Sequence, residues 1–307
     1  MIKQTDGDKF EAARSMTQGL TFREAAEEFE RCSVTFGESQ MRTLGIIGAD
    51  GLYTNLGLLL SDQCAHTVKF AVFNGTKKGE FRTRKEIEGS VLRQMRATFD
   101  FLSLSNNLAA TVSGLDRVEQ YDYPEIAVRE AMLNAIIHRD YGFSGSIIVN
   151  LYDDRVEFVS LGGLMPGLRT EDLFVGVSQP RNEKLANVFY RLKHIEAYGT
   201  GLRLIMQCYE DFEAKPEITA THGAFMLTLP NMNYARPLRA IYQPKPQHRV
   251  ILDYLRNNGF VTNEIAQEIL SVKQTRAYTI IREMVNNGLI IKYGTGKEDK
   301  KYILIDS

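Results

Sequence analysis

The sequence predicts an α+β fold in three parts. A central α/β sandwich is preceded by a smaller α/β region and followed by a helical segment that closes in a hairpin. Three observations predict this. Segments with helical apolar spacing alternate with short apolar runs that end at turn dipeptides, Asn74-Gly75 and Asp153-Asp154. The stretch NMNYARPLRAIYQPKPQ (231–247) holds Pro237, Pro244 and Pro246 with little apolar periodicity, which marks a linker. The 307 residues are 44% hydrophobic and 24% charged, which suits two or three domains with real cores.

Composition also excludes several classes. Lys plus Arg is 37 and Asp plus Glu is 38, a formal charge of −1, so any nucleic-acid contact must be local. Cys32, Cys64 and Cys208 are isolated and form no Cys-x-x-Cys pair, which points to a reducing, cytoplasmic setting. No apolar run approaches the roughly 18 residues of a membrane span. The opening MIKQTDGDKF is charged and does not read as a secretory signal. His66, His194, His222 and His248 lie at no metal-ligand spacing and read as structural or surface residues.

In the first part, 1–120, a helix is expected at 22–32 behind a Thr21/Glu24 capping box. VKFAVF (68–73) reads as a strand closed by Asn74-Gly75. Residues 84–102 read as a helix with Ile87, Val91, Met95, Phe99 and Leu102 on one face. Ser61-Asp62-Gln63 is either a polar site or a capping turn. A weaker boundary is expected near 103–123.

The second part, 121–230, carries the chemistry. Its order is a helix at 124–138, strands at 146–152 and 155–160, and a Gly-rich loop, LGGLMPG (161–167). A polar mixed segment (170–195) follows, then the turn YGTGL (198–202), which opens a helix to about 211. Strands near 217–220 and 224–229 close the part. Glu130 and Asn134 are four residues apart and share a helix face, which His138 continues. A carboxylate beside an amide can orient a water and ligate a hydrated Mg²⁺ on phosphates. Gly162 and Gly163 form one glycine turn. Gly199, Thr200 and Gly201 form a second at a helix start, where free N–H groups and the helix dipole suit a phosphate.

The linker, 231–246, leads into the third part, 247–307. Helices are expected at 248–257, 263–270 and 273–286, with Tyr278, Ile281 and Val285 inward on the last and Gly288 stopping it. LIIKY (289–293), a turn at 294–297 and KYILI (301–305) form a hairpin. Three helices and a hairpin in this order describe a winged helix-turn-helix. The part has nine Lys/Arg against seven Asp/Glu, but the basic residues concentrate. Lys273, Gln274, Arg276, Thr279 and Arg282 lie on the third helix, where Gln and Arg can read adenine and guanine edges. Lys292 and Lys297, with Lys300 and Lys301, suit phosphates from the wing. The alternative is the solvated face of a protein-binding winged helix. Two copies reading a palindrome, a homodimer, would follow from DNA binding.

The order of the second part is similar to the GHKL (Bergerat) ATP-binding fold. More closely, REAMLNAIIHRDY, LYDDRVEFVSLGGLMPG, SQPRNEKLANVF and IEAYGTGLRLI resemble the RecG-related family of transcriptional regulators. That family carries a GHKL-like ATPase module, often behind a Schlafen-type AlbA-like domain and ahead of a winged helix. GLYTNLGLLLSDQ and VKFAVFNG also resemble it, and MIKQTDGDKF resembles the tail of the AlbA-like domain, implying a fragment of a longer protein. The resemblance implies ATP and Mg²⁺ as ligands, with Glu130 as general base and Asn134 as metal ligand. It places Gly162 and Gly163 at the adenine, Gly199, Thr200 and Gly201 at the phosphates, and a lid at 170–190. One position departs from it: where GHKL enzymes carry an Asp for the adenine amine, this chain has Ser160.

The leading expectation is a bacterial, cytoplasmic, DNA-binding transcriptional regulator whose central module binds a nucleotide. One alternative is an ATPase of DNA processing or defence. Another is a protein-interaction module with vestigial sites. A helicase motor is excluded, because no G-x-x-x-x-G-K-[ST] string exists and Lys297 of GTGKED is followed by Glu298.

Overall fold

The computed structural model describes residues 10–113, 116–175, 179–196, 199–234, 245–286, 289–293 and 301–304. In chain order the helices and strands begin with α1 (Arg23–Arg31), α2 (Glu38–Leu44), α3 (Asn55–Leu60), β1 (Val68–Phe73), β2 (Phe81–Ile87) and α4 (Val91–Ser105). A hairpin of β3 (Leu108–Ser113) and β4 (Asp116–Tyr121) precedes α5 (Glu125–Ile137), β5 (Ile147–Leu151) and β6 (Arg155–Leu161). Next come α6 (Glu183–Arg191), α7 (Gly201–Cys208), β7 (Glu217–Ala220) and β8 (Ala224–Pro230). The last elements are α8 (Pro246–Asn258), α9 (Asn263–Leu270), α10 (Gln274–Asn286), β9 (Ile290–Tyr293) and β10 (Lys301–Leu304). No helix among the described residues is long and apolar enough to cross a membrane.

The fold is α+β with a mixed sheet. Six strands run in the order β2-β1-β5-β6-β8-β7, with β1 and β5 parallel and the other neighbours antiparallel. Register lines up one apolar row across four strands: Phe70 beside Val149, Val149 opposite Phe158, Phe158 opposite Leu227. All four are at most 1% exposed. Alternate residues of a strand share a face, so this row marks the side the helices cover. There α5 packs on α4, α7, β6 and β8. Its Met132, Leu133 and Ile136 join the row in one hydrophobic core.

The chain parts into two compact units: Met1–Ala110 with Glu119–Asn233, and Thr111–Val118 with Tyr234–Ser307. The division expected at residue 120 therefore falls inside one unit. The reason is the parallel pairing of β1 with β5, which places residues from either side of 120 in one sheet. The second unit has its own core of Ile251, Leu255, Ala277, Ile280, Ile281 and Met284. Of the expected linker, 235–244 lies outside the described residues, and Pro246 opens α8.

Three local expectations change. Residues 84–87 belong to β2, paired with β1, and α4 starts only after Gly89 (φ +85°) and the capping hydroxyl of Ser90. The Thr21/Glu24 box does not form. Asp62 caps α1 from a distant turn, accepting the N–H groups of Arg23 and Glu24 and the hydroxyl of Thr21. Glu24 instead accepts the N–H of Ser90. Ser61-Asp62-Gln63 is thus a capping turn, and the boundary near 103–123 is the β3–β4 hairpin.

Candidate functional site

The periodicity of α5 sets the site. Glu130, Asn134 and His138 follow at four-residue spacing, and all three line a cavity of about 510 Å³. Its other wall comes from the residues after α6 and from the start of α7, including Lys193, Gly199, Thr200 and Gly201. Gly199 has φ +64°, a left-handed turn that glycine adopts without strain. A Cβ on Gly201 would sit 2.7 Å from Glu130 Oε2 and 3.7 Å from Asn134 Nδ2. The absent side chain lets the first turn of α7 approach the carboxylate and the amide. The predicted residues Glu130, Asn134, Gly199, Thr200 and Gly201 therefore meet at one place.

Each group has a definite electrostatic state. Burial pushes the Glu130 carboxyl above the usual carboxylate range, the neighbouring Arg129 charge pulls it back, and Glu196 raises it again. Arg129 donates one N–H to Glu130 and another to the carbonyl of His194. Asn134 Nδ2 is buried without a hydrogen-bond partner among the described residues. Such an orphan costs about 1–3 kcal/mol and calls for an explanation, of which a missing ligand is one. Burial, then the charge of Arg181, pushes the His138 imidazole down to about 4. At neutral pH it is therefore uncharged.

A smaller cavity of about 70 Å³ adjoins the first and shares Asn134 and His138 with it. Gly162 and Gly163 line it with apolar neighbours that include Met165, Leu173 and Phe225. Gly162 has φ +96° and donates its N–H to Gly223 O at 2.9 Å. A Cβ on Gly163 would meet Thr221 O at 2.1 Å, so only glycine fits against the β7–β8 turn. Ser160 is 2% exposed and is not among the residues that line this cavity, and no carboxylate takes its place there among the described residues.

Sequence reasoning quoted the segment 178–189 but missed what two of its residues do. Arg181 donates to Gly163 O at 2.8 Å and His138 O at 3.2 Å. Asn182, 3% exposed, donates to Ile137 O and Arg139 O at 2.8 and 2.7 Å. Together they fasten the end of α5 to the glycine loop. Lys193 was also missed. It lines the larger cavity from a left-handed conformation, φ +59°. Of the lid expected at 170–190, Thr170–Val175 form a 3₁₀ helix, α6 takes up Glu183–Arg191, and 176–178 lie outside the described residues.

In the second unit Lys273 is exposed just ahead of α10, Gln274, Arg276, Thr279 and Arg282 are exposed along it, and Lys292 is exposed on β9. Lys297 lies outside the described residues. The expectation for Tyr278 fails: it is 51% exposed, because Ala277, Ile280, Ile281 and Met284 form the inward stripe. The acid of this helix, Glu283, is engaged by Lys245 at 2.8 Å and His248 at 3.5 Å.

Comparison with known proteins adds three findings. Residues 145–229 match the family described as "Putative ATP-dependent DNA helicase recG C-terminal". No curated protein matches the chain. Among solved structures, the crystal structure of the DIP2311 protein from Corynebacterium diphtheriae is similar, with a TM-score of 0.64 and 22% identity. The likeness covers 97% of this chain and 64% of that one, so the present chain spans less than two thirds of its relative's length. It is a likeness of fold. The chain thus carries an ATPase-like module of the recG C-terminal type within its mixed sheet, and the helix that bears Glu130 and Asn134 lies just ahead of the matched segment.

Proposed function

We propose that this protein is a DNA-binding regulator whose first unit, of GHKL-like architecture, binds a nucleoside triphosphate with Mg²⁺. The observation that carries the reading is the meeting of two unlike cavities at Asn134, whose amide nitrogen is buried and unpartnered among the described residues. One cavity is apolar and small, suited to a base. The other holds a carboxylate, a lysine and the open start of a helix, suited to phosphates. The carboxylate of Glu130 and the amide oxygen of Asn134 fit a hydrated Mg²⁺: Asn134 would hold it through Oδ1, and it would neutralise phosphate charge when bound. Lys193 and the N–H groups at Thr200 and Gly201 would face the phosphate oxygens. Glu130, held high by burial, would accept a proton from an attacking water. Without a carboxylate in the apolar cavity, preference for adenine over guanine should be weak.

The second unit supports the DNA half of the proposal. Three helices precede the β9–β10 hairpin, and Val261, between α8 and α9, bridges Tyr302 on β10. We read this order as a winged helix, with α10 as the recognition helix. A ligand would switch such a protein only by binding two of its conformations unequally.

The raised Glu130 carboxyl favours a second reading, in which the chain also hydrolyses the nucleotide. Glu130→Gln keeps the shape and removes the base. Phosphate release by the wild type should fall at least a hundredfold in the variant while nucleotide affinity stays within a few-fold, the size expected for losing a general base. Equal release rates in the two proteins would exclude Glu130 as the base.

A further inference from the structure

A second cluster stands apart from the two cavities. Glu28 and Cys32 are four residues apart at the end of α1, and His194 lies in the turn after α6. Cys32 Sγ is 3.7 Å from His194 Nε2, Glu28 Oε1 is 3.0 Å from the same nitrogen, and Sγ and Oε1 are 4.0 Å apart. The three donors therefore converge on one point. That geometry rules out a thiol–imidazole–carboxylate relay, which would use the two opposite ring nitrogens. It resembles three corners of a zinc tetrahedron. Bond lengths of about 2.3 Å to sulfur and about 2.0–2.1 Å to nitrogen and oxygen put such corners roughly 3.3–3.6 Å apart.

We propose that Glu28, Cys32 and His194 form a Zn²⁺ site, with water as the fourth ligand. The donor set suits zinc, a borderline metal that takes thiolate, imidazole and carboxylate together. Access is open, since Cys32 is half-buried and the His194 side chain is 16% exposed. Arg96 grips both oxygens of Glu28, and Arg31 bonds one of them. This outer shell orients the carboxylate for its ligand role. Its positive charge also opposes a cation, so the affinity should be moderate. Binding displaces the thiol proton and takes the lone pair of His194 Nε2. The bound metal would tie α1 to the turn whose His194 carbonyl holds Arg129, the partner of Glu130.

Cobalt(II) is the probe, because a tetrahedral thiolate site gives it visible d–d bands and a near-ultraviolet thiolate-to-metal charge-transfer band. The full chain, freed of metal, should show both at one equivalent, and added Zn²⁺ should erase them. Cys32→Ser, which conserves shape, should lose the charge-transfer band, and His194→Gln should weaken binding at least tenfold. Cys64→Ser and Cys208→Ser should leave the spectrum unchanged. The melting temperature of each variant without metal checks that it is folded. Absent bands in the wild type, or a charge-transfer band that survives Cys32→Ser, would overturn the site.

Discussion

Gly163→Ala should destabilise the first unit by about 3 kcal/mol, at the upper end of ordinary overpacking. The added methyl would lie 2.1 Å from Thr221 O and 2.9 Å from His222 O, both backbone atoms. Neither can rotate away as a side chain would. Relief requires the glycine loop to separate from the β7–β8 turn, which breaks the Gly162 N–H bond to Gly223 O and shifts Gly163 O from Arg181. Chemical denaturation should show a lower midpoint with an unchanged slope. Gly223→Ala, in the same turn but with nothing within 4 Å of the added atom, is the control and should be near neutral. A Gly163→Ala protein as stable as the wild type would mean that this loop is not pinned as described.

The largest effect expected in the second unit follows from Lys273→Ala combined with Arg276→Ala. Both residues are exposed at the start of α10, so stability should hardly change. Affinity for a mixed-sequence DNA duplex, followed by fluorescence anisotropy, should fall ten- to a hundredfold. The plot of log affinity against log salt should become shallower, by about one unit for each phosphate contact that the pair makes. Unchanged affinity and slope would remove α10 from the DNA contact and favour a protein-binding face.

Much of this architecture was legible locally. Asp153-Asp154 joins β5 to β6, the turn after Asn74 leads β1 into β2, and the helical spacing of Glu130, Asn134 and His138 puts all three on one cavity. What stayed hidden depends on distance in the chain. Nothing in VKFAVF signals a parallel partner at 147–151, so the two halves of one sheet read as separate parts. Ile87 continues the four-residue spacing of α4, and the strand it ends was hidden by that coincidence. Asp62 caps a helix that starts at Arg23, and a local box looked sufficient. His194 showed no ligand spacing because its companions, Glu28 and Cys32, lie more than 160 residues away. Tyr278 shows the opposite failure. Its aromatic ring looked like core, yet alanine and isoleucine fill the stripe that faces inward.

The central claim is that Asn134 marks a working nucleotide site. Calorimetric titration of the full chain with ATP, ADP and GTP, each with and without Mg²⁺, tests it most directly. The account predicts binding of a triphosphate that depends on Mg²⁺ and weakens at least a hundredfold in Asn134→Ala, with the variant otherwise folded. No heat at millimolar nucleotide, or binding indifferent to both Mg²⁺ and Asn134, would contradict it.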